Sequence, residues 1–260
     1  MPLFVGTSGW QYRDWRGVLY PDGVPASRWL EYYSRRYPTV ENNGTFYRLA
    51  SAATFADWRA RTPEGFVMAV KASRYLTHIR RLRDPAEPVT RLMTAAAGLG
   101  DRLGPVLLQL PPNLPADAGA LDECLAQFEA PGLTRPGRVR VCVEFRHESW
   151  WTEPVRRLLQ RHNAATCWID RRGRPAGPLW VTADWAYLRL HEGAARPWPR
   201  YGRQALRSWL GRISDSFPQS ADIFAYFNND QHGAAPADAA ALAELAGRAG
   251  WPVAQPEPDR

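Results

Sequence analysis

Short apolar runs alternate along this chain with longer stretches whose apolar positions recur at helical spacing. The short runs predict strands near 3–8, 39–44, 66–73, 106–111, 139–146, 165–170, 186–191 and 222–229. Between them the longer period predicts helices near 27–36, 52–61, 88–100, 117–129, 153–162, 202–213 and 236–248. Strand and helix in strict alternation describe an α/β fold. Eight strands in about 250 residues fit a single (β/α)₈ barrel of the TIM type spanning 1–260, with a doubly wound open sheet as the alternative. The segment 171–184 breaks the pattern: Gly173, Pro175, Gly177 and Pro178 predict an irregular loop where a helix is due.

In a barrel, alternate strand residues face the helices, so the more apolar set of each strand points outward. In 139–146 that set is Val139, Val141, Val143 and Phe145, which turns Arg140, Cys142, Glu144 and Arg146 inward. The same test turns Lys71 inward from the third strand, and Tyr187, Arg189 and His191 inward from the seventh. Elsewhere it selects Ser8, Glu41, Asn43, Gln109 and Asp170, with Asn228 and Asp230 less clearly. Most of these stand at C-terminal strand ends, where barrel enzymes build their sites. Internal ion pairing is the structural explanation, but burying so many polar groups costs free energy, so a ligand site explains the whole set better.

Composition sharpens this picture. The 260 residues are 45% hydrophobic, ample for one large core. No run reaches the roughly 20 apolar residues of a membrane span. The opening residues lack a charged segment followed by an apolar one, so a cytoplasmic location and no membrane partner are expected. Cys124, Cys142 and Cys167 have no metal-type spacing, which argues against a disulfide framework or a structural zinc site. Net charge is +7, which suits an anionic partner. The basic residues are 32 arginines and one lysine, Lys71. In a chain that uses arginine everywhere else, that lysine invites a specific role.

Several strings are shared with a known family. They are Gly6-Thr7-Ser8-Gly9-Trp10, Glu41-Asn42-Asn43-Gly44-Thr45-Phe46-Tyr47, and Lys71-Ala72-Ser73-Arg74-Tyr75-Leu76-Thr77-His78. Gln109-Leu110-Pro111-Pro112, Glu144-Phe145-Arg146-His147, Arg189-Leu190-His191 and Phe227-Asn228-Asn229-Asp230 complete the series. In this order, over about 3–248, the chain resembles the YecE-like family, known as domain of unknown function 72. The resemblance implies a TIM-type barrel but no reaction. Two departures are Gly44, expected to loosen the loop after strand two, and Glu192, which adds a carboxylate near the site.

Three chemistries compete for the inward set. His78, His147 and His191 with the carboxylates offer metal donors, but Lys71, Arg146 and Arg189 in the same ring oppose a cation. No cofactor is therefore expected, and a divalent metal stays open. Glu41 and Glu144 would serve glycoside hydrolysis if the carboxyl groups lay roughly 5–10 Å apart. An anion site is the strongest reading: Lys71, Arg146 and Arg189 hold a phosphate, with Gln109, Asn228 and His191 as further donors. The expected function is an enzyme acting on a phosphate-bearing ligand, nucleic acid or nucleotide favoured, with hydrolysis of a phosphate ester as its reaction class. In this reading Glu41, Lys71, Glu144 and His191 carry catalysis. Tyr47, His78, Gln109, Arg146, His147, Asp170, Arg189, Asn228, Asn229 and Asp230 bind substrate. The alternatives are a carbohydrate-active barrel and a non-catalytic protein that binds single-stranded nucleic acid. The latter would use the basic segment 71–83 and loop aromatics that stack on bases.

Overall fold

The alternation closes into a ring. In the computed structural model, which describes residues 2–130 and 139–256, eight parallel strands form the wall. They are β1 (Leu3–Ser8), β2 (Thr39–Asn42), β3 (Val67–Lys71), β4 (Leu103–Gln109), β5 (Val141–Glu144), β6 (Ala165–Arg171), β7 (Ala186–Leu190) and β8 (Ile223–Phe227). Each pairs with its sequence neighbours, β8 pairs with β1, and β5 pairs with β6, so the sheet has no open edge. The open-sheet alternative is thereby set aside. The span 1–260 also includes Met1, 131–138 and 257–260, which lie outside the described residues.

Helices α1 (Trp29–Ser34), α2 (Ala52–Ala60), α3 (Ala86–Ala96), α4 (Ala118–Phe128), α5 (Glu153–Arg161), α6 (Arg203–Ser216) and α7 (Ala234–Arg248) follow seven of the strands. After β6 the chain instead makes a short ribbon, Arg174–Pro175 against Asp170 and Arg171. Gly177 is held at φ +155°, and a Cβ there would meet the Trp151 ring at 2.8 Å. Tryptophans occupy the place of the missing helix: Trp168 donates its indole N–H to the Trp180 carbonyl at 2.9 Å, and Trp151 meets Trp180 edge-on.

In β3, β5 and β7 the outward set packs on the helices as its parity predicts: Met68, Val70, Val143, Phe145, Leu188 and Leu190 all belong to the outer core. A second apolar cluster fills the barrel, with Ala69, Leu107, Cys142, Cys167, Tyr187 and Tyr226 among its members. Towards the N-terminal strand ends, Phe4 stacks on Phe224 and Arg140 pairs with Asp222 at 2.5 Å. Gly6 lets β1 and β2 approach, since a Cβ there would lie 2.1 Å from the Thr39 carbonyl oxygen.

Two inward or binding assignments do not survive. In β6 the residues facing the barrel are Ala165, Cys167 and Ile169, so Asp170 points outward with Trp168. Its carboxylate accepts from Tyr201 Oη, from Trp209 Nε1 at 2.6 Å and from the Gly173 amide at 3.1 Å. Burial pushes its pKa up, against the pull of those donors. Asn229 is likewise outside, donating at 2.8 Å to both the Pro199 carbonyl and Asp238 Oδ2, which fastens the β7–α6 connection to α7. Each residue meets a donor or acceptor on the helix side, which is why an outward polar position costs little here. Removing one donor in Trp209→Phe should lower stability by about 1–3 kcal/mol. Urea unfolding measures this, and phosphate binding at the barrel mouth should be unchanged.

A candidate active site at the barrel mouth

The C-terminal ends of β2, β4, β5 and β7 deliver four side chains to one point. Arg189, 1% exposed, is the centre. Its Nη1 donates to Glu144 Oε2 at 2.6 Å and Gln109 Oε1 at 3.3 Å. Its Nη2 donates to Glu41 Oε1 at 2.9 Å and Ser8 Oγ at 3.3 Å. Both carboxylates are fully buried. Glu41 also accepts from Tyr187 Oη at 2.6 Å and from Ser8 Oγ, and Glu144 accepts from Arg146 Nε at 2.7 Å. Burial, the largest single influence, would raise the pKa of each carboxyl group, but Arg189 and the neighbouring donors together outweigh it. Ser8 and Tyr187 help at Glu41, and Arg146 helps at Glu144. Both carboxyls are ionised at neutral pH.

Lys71 is the charge left over. Its Nζ donates to Gln109 Oε1 at 2.8 Å and lies 4.3 Å from the centre of the Phe46 ring. Two donors on one oxygen fix the orientation of the Gln109 amide. Glu41 and Glu144 are already taken by guanidinium groups. Desolvation first, and Arg189 second, lower the Lys71 pKa to about 8.

His191, one strand-step above Arg189, is neutral: burial and Arg189 depress its pKa to about 4. Its Nδ1 contacts Asn228 Nδ2 at 2.7 Å. An amide N–H donates there, which places the imidazole proton on Nε2. That Nε2 is buried without a hydrogen-bond partner, 3.9 Å from Glu144 Oε2. Asn43 gives Nδ2 to Ser8 Oγ at 2.5 Å and leaves its buried Oδ1 unpaired. The mouth therefore has an unused donor and an unused acceptor around an amine whose pKa is lowered to about 8. Neither Asn43 nor the Phe46 platform was among the predicted site residues, although Asn43 was read as inward. Phe46 carried no signal beyond its place in the string after β2.

The other predicted residues lie around the rim. Tyr47 is 76% exposed. His78, on a π-helical turn (Tyr75–Ile79), meets Phe46 edge-on at 5.0 Å, and Lys71 and Arg146 lower its pKa after burial does. His147 caps the turn at Ser149, accepting from its amide at 3.2 Å. Asp230 accepts the Trp15 indole N–H on its backbone oxygen, and burial raises its carboxyl pKa. Glu192 pairs with Arg172 at 3.3 Å and Arg196 at 3.8 Å, away from Lys71. Gly44 opens a helical turn (Gly44–Tyr47) whose first amide bonds Asn42 Oδ1, so the connection after β2 is ordered rather than loose. Of the loop aromatics, Trp10, Trp15, Trp150 and Tyr201 fill core, while Tyr47, Tyr75 and Trp198 stay exposed.

Among the described residues, no three His, Cys, Asp or Glu side chains converge to hold a metal ion, and no helix is long and apolar enough to cross a membrane. A family model described as "Protein of unknown function DUF72" matches residues 4–260. The UPF0759 protein YunF of Bacillus subtilis is 25% identical over 94% of both chains. The crystal structure of a DUF72 family protein from Thermotoga maritima is 25% identical, with a TM-score of 0.76 over 95% of this chain and all of that one. Another from Enterococcus faecalis, 15% identical, also has a TM-score of 0.76 and covers 99% of each chain.

Proposed function

The chain belongs to the DUF72 family, whose members share this barrel and whose description names no activity, and from that premise we propose that the mouth binds a phosphate-bearing ligand and acts on it through Lys71. The observation that carries this is the charge balance. Two carboxylates meet two guanidinium groups at Arg189 and Arg146, and Lys71, which forms no salt bridge among the described residues, leaves the cluster one positive charge in excess. An anion restores neutrality. His191 Nε2–H and Arg146 supply further donors, and Asn43 Oδ1 accepts from a hydroxyl.

Exposed Tyr47 and Tyr75, beside the exposed Arg48 and Arg74, favour a nucleotide or a single strand as the bearer of the phosphate. The same rim supports the second reading, a binding protein without turnover. The carbohydrate reading loses its acid and base, because Glu41 and Glu144 are spent on Arg189. For the same reason neither Glu41 nor Glu144 is free to activate water for ester hydrolysis. The phosphate is a handle rather than the reacting group.

Calorimetry with inorganic phosphate and adenosine monophosphate tests this. Affinity should hold steady below pH 8 and fall up to tenfold per pH unit above it, as Lys71 loses its proton. Binding above pH 8 should take up a proton, read from the buffer dependence of the heat. Affinity that is flat from pH 7 to 10 removes Lys71 from the anion site. A labelled single strand that binds with a steep salt dependence, yet ignores Lys71→Met, places nucleic acid on the outer rim only.

A further inference from the structure

We infer that Lys71 is a nucleophile that forms an imine with a carbonyl carbon of its substrate, so that the substrate class is a phosphate-bearing aldehyde or ketone. This rests on the phosphate reading above and names the group that reacts. Arginine stays protonated throughout the range in which proteins work and cannot form an imine, whereas lysine becomes a neutral nucleophile when desolvated. This chain meets every other need for a basic side chain with arginine. The one amine it retains stands at a strand end on the catalytic face of the barrel, where a point charge alone would not require it.

The surroundings suit that chemistry. Nζ is held at Gln109 Oε1 and covered by the Phe46 ring, so the amine is fixed and sheltered from bulk water. Arg189 shares the same Gln109 oxygen, and with Arg146 it favours the neutral amine. The carboxylates that would hold an ammonium are bound elsewhere. His191 Nε2–H, buried and unused, is a donor for the oxygen of a carbonyl under attack.

In the step itself, the Nζ lone pair forms a bond to the carbonyl carbon. The π pair moves to oxygen, which gains a proton while the nitrogen loses one. A proton taken up from solvent joins the hydroxyl of this carbinolamine, the C–O bond breaks, water leaves with the bonding pair, and a protonated imine remains. No oxidant or reductant takes part. The iminium draws electrons from the neighbouring carbon, so the reaction class is proton removal or bond cleavage at that carbon.

The single lysine makes the test clean. The whole protein is incubated with glyceraldehyde 3-phosphate or glyceraldehyde, reduced with cyanoborohydride, and mapped by peptide mass. The expected result is one adduct at Lys71 with the phosphorylated aldehyde. It should form at least about tenfold faster at pH 8 than at pH 6 and about tenfold slower with saturating inorganic phosphate. Lys71→Met should give none. Equal trapping of both aldehydes at Lys71, with no protection by phosphate, keeps the imine and overturns the phosphate handle. Adducts confined to the terminal amine, in protein that binds phosphate by calorimetry, overturn the imine and leave the anion site standing.

Discussion

Replacing Arg189 with methionine is expected to cost about 3–5 kcal/mol of folding stability at pH 7, the range for removing one partner of a buried ion pair. Methionine matches the length of the arginine stem but satisfies none of its four acceptors. Glu41 would keep Ser8 and Tyr187 as donors, and Glu144 would keep Arg146, so two buried carboxylates would share one partly exposed guanidinium. The sign with pH follows from the directions of the carboxyl shifts. In the native protein both pKa values lie below the ordinary 4.5. Their stabilisation is therefore present above 4.5 and is lost as pH falls through the depressed values. The gap between wild type and Arg189→Met should narrow as pH falls below 4.5. Urea unfolding at pH 7 and pH 4 measures it. A loss under about 1 kcal/mol at pH 7 would show that the arginine is not the counter-charge that holds the two carboxylates.

Lys71→Met should do the reverse: it should abolish phosphate binding and imine trapping while leaving stability unchanged or raised by about 1–2 kcal/mol. A buried cation whose pKa is depressed is held at a cost, and methionine removes that cost while keeping an apolar contact with Phe46. The cost is fully present below pH 8 and fades as pH rises towards the ordinary 10.5, where the unfolded chain also deprotonates. The stability advantage of Lys71→Met should therefore shrink between pH 8 and 10.5. Parallel thermal melts and calorimetry separate the two effects. If binding and stability fell together, Lys71 would be part of the structural network and not of a ligand site.

The barrel was legible because its strands are strongly patterned. In β5 the outward valines and the inward Arg140, Cys142, Glu144 and Arg146 alternate without exception, so the parity rule had one solution. The sequence of β6, Ala165-Thr166-Cys167-Trp168-Ile169-Asp170, has no polar face. There the choice turned on a polar residue being inward, which Trp209 and Tyr201 on the helix side overturn. Asn229 failed for the same reason: its partners come from Pro199 and Asp238, far off in the chain. The pairing inside the mouth was legible only in part. Glu144 with Arg146 is a neighbour pair on one strand. Sequence gave no means of seeing that Arg189 reaches Glu41 and Glu144 together, since that depends on the width of the closed ring. It is this reach that frees Lys71. The exposed Tyr47 and the buried Trp150 look alike in composition, and only the packing of the loops separates stacking surface from core.

Considered mechanically, the wall of the barrel is a hoop with two short welds. β8 aligns five residue pairs with β1 and five with β7, whereas β1 and β2 align two, Thr7 with Val40 and Ser8 with Glu41, and β5 and β6 align two, Cys142 with Ala165 and Val143 with Thr166. Strain that widens the hoop would concentrate at those welds. Glu144 stands at the end of β5 and Arg189 on β7, so their ion pair leaps over β6 and ties together the two strands on either side of it. The hub that holds the mouth is thus also a brace, and a ligand that draws Arg189 off Glu144 would slacken the ring at one of its two short joints.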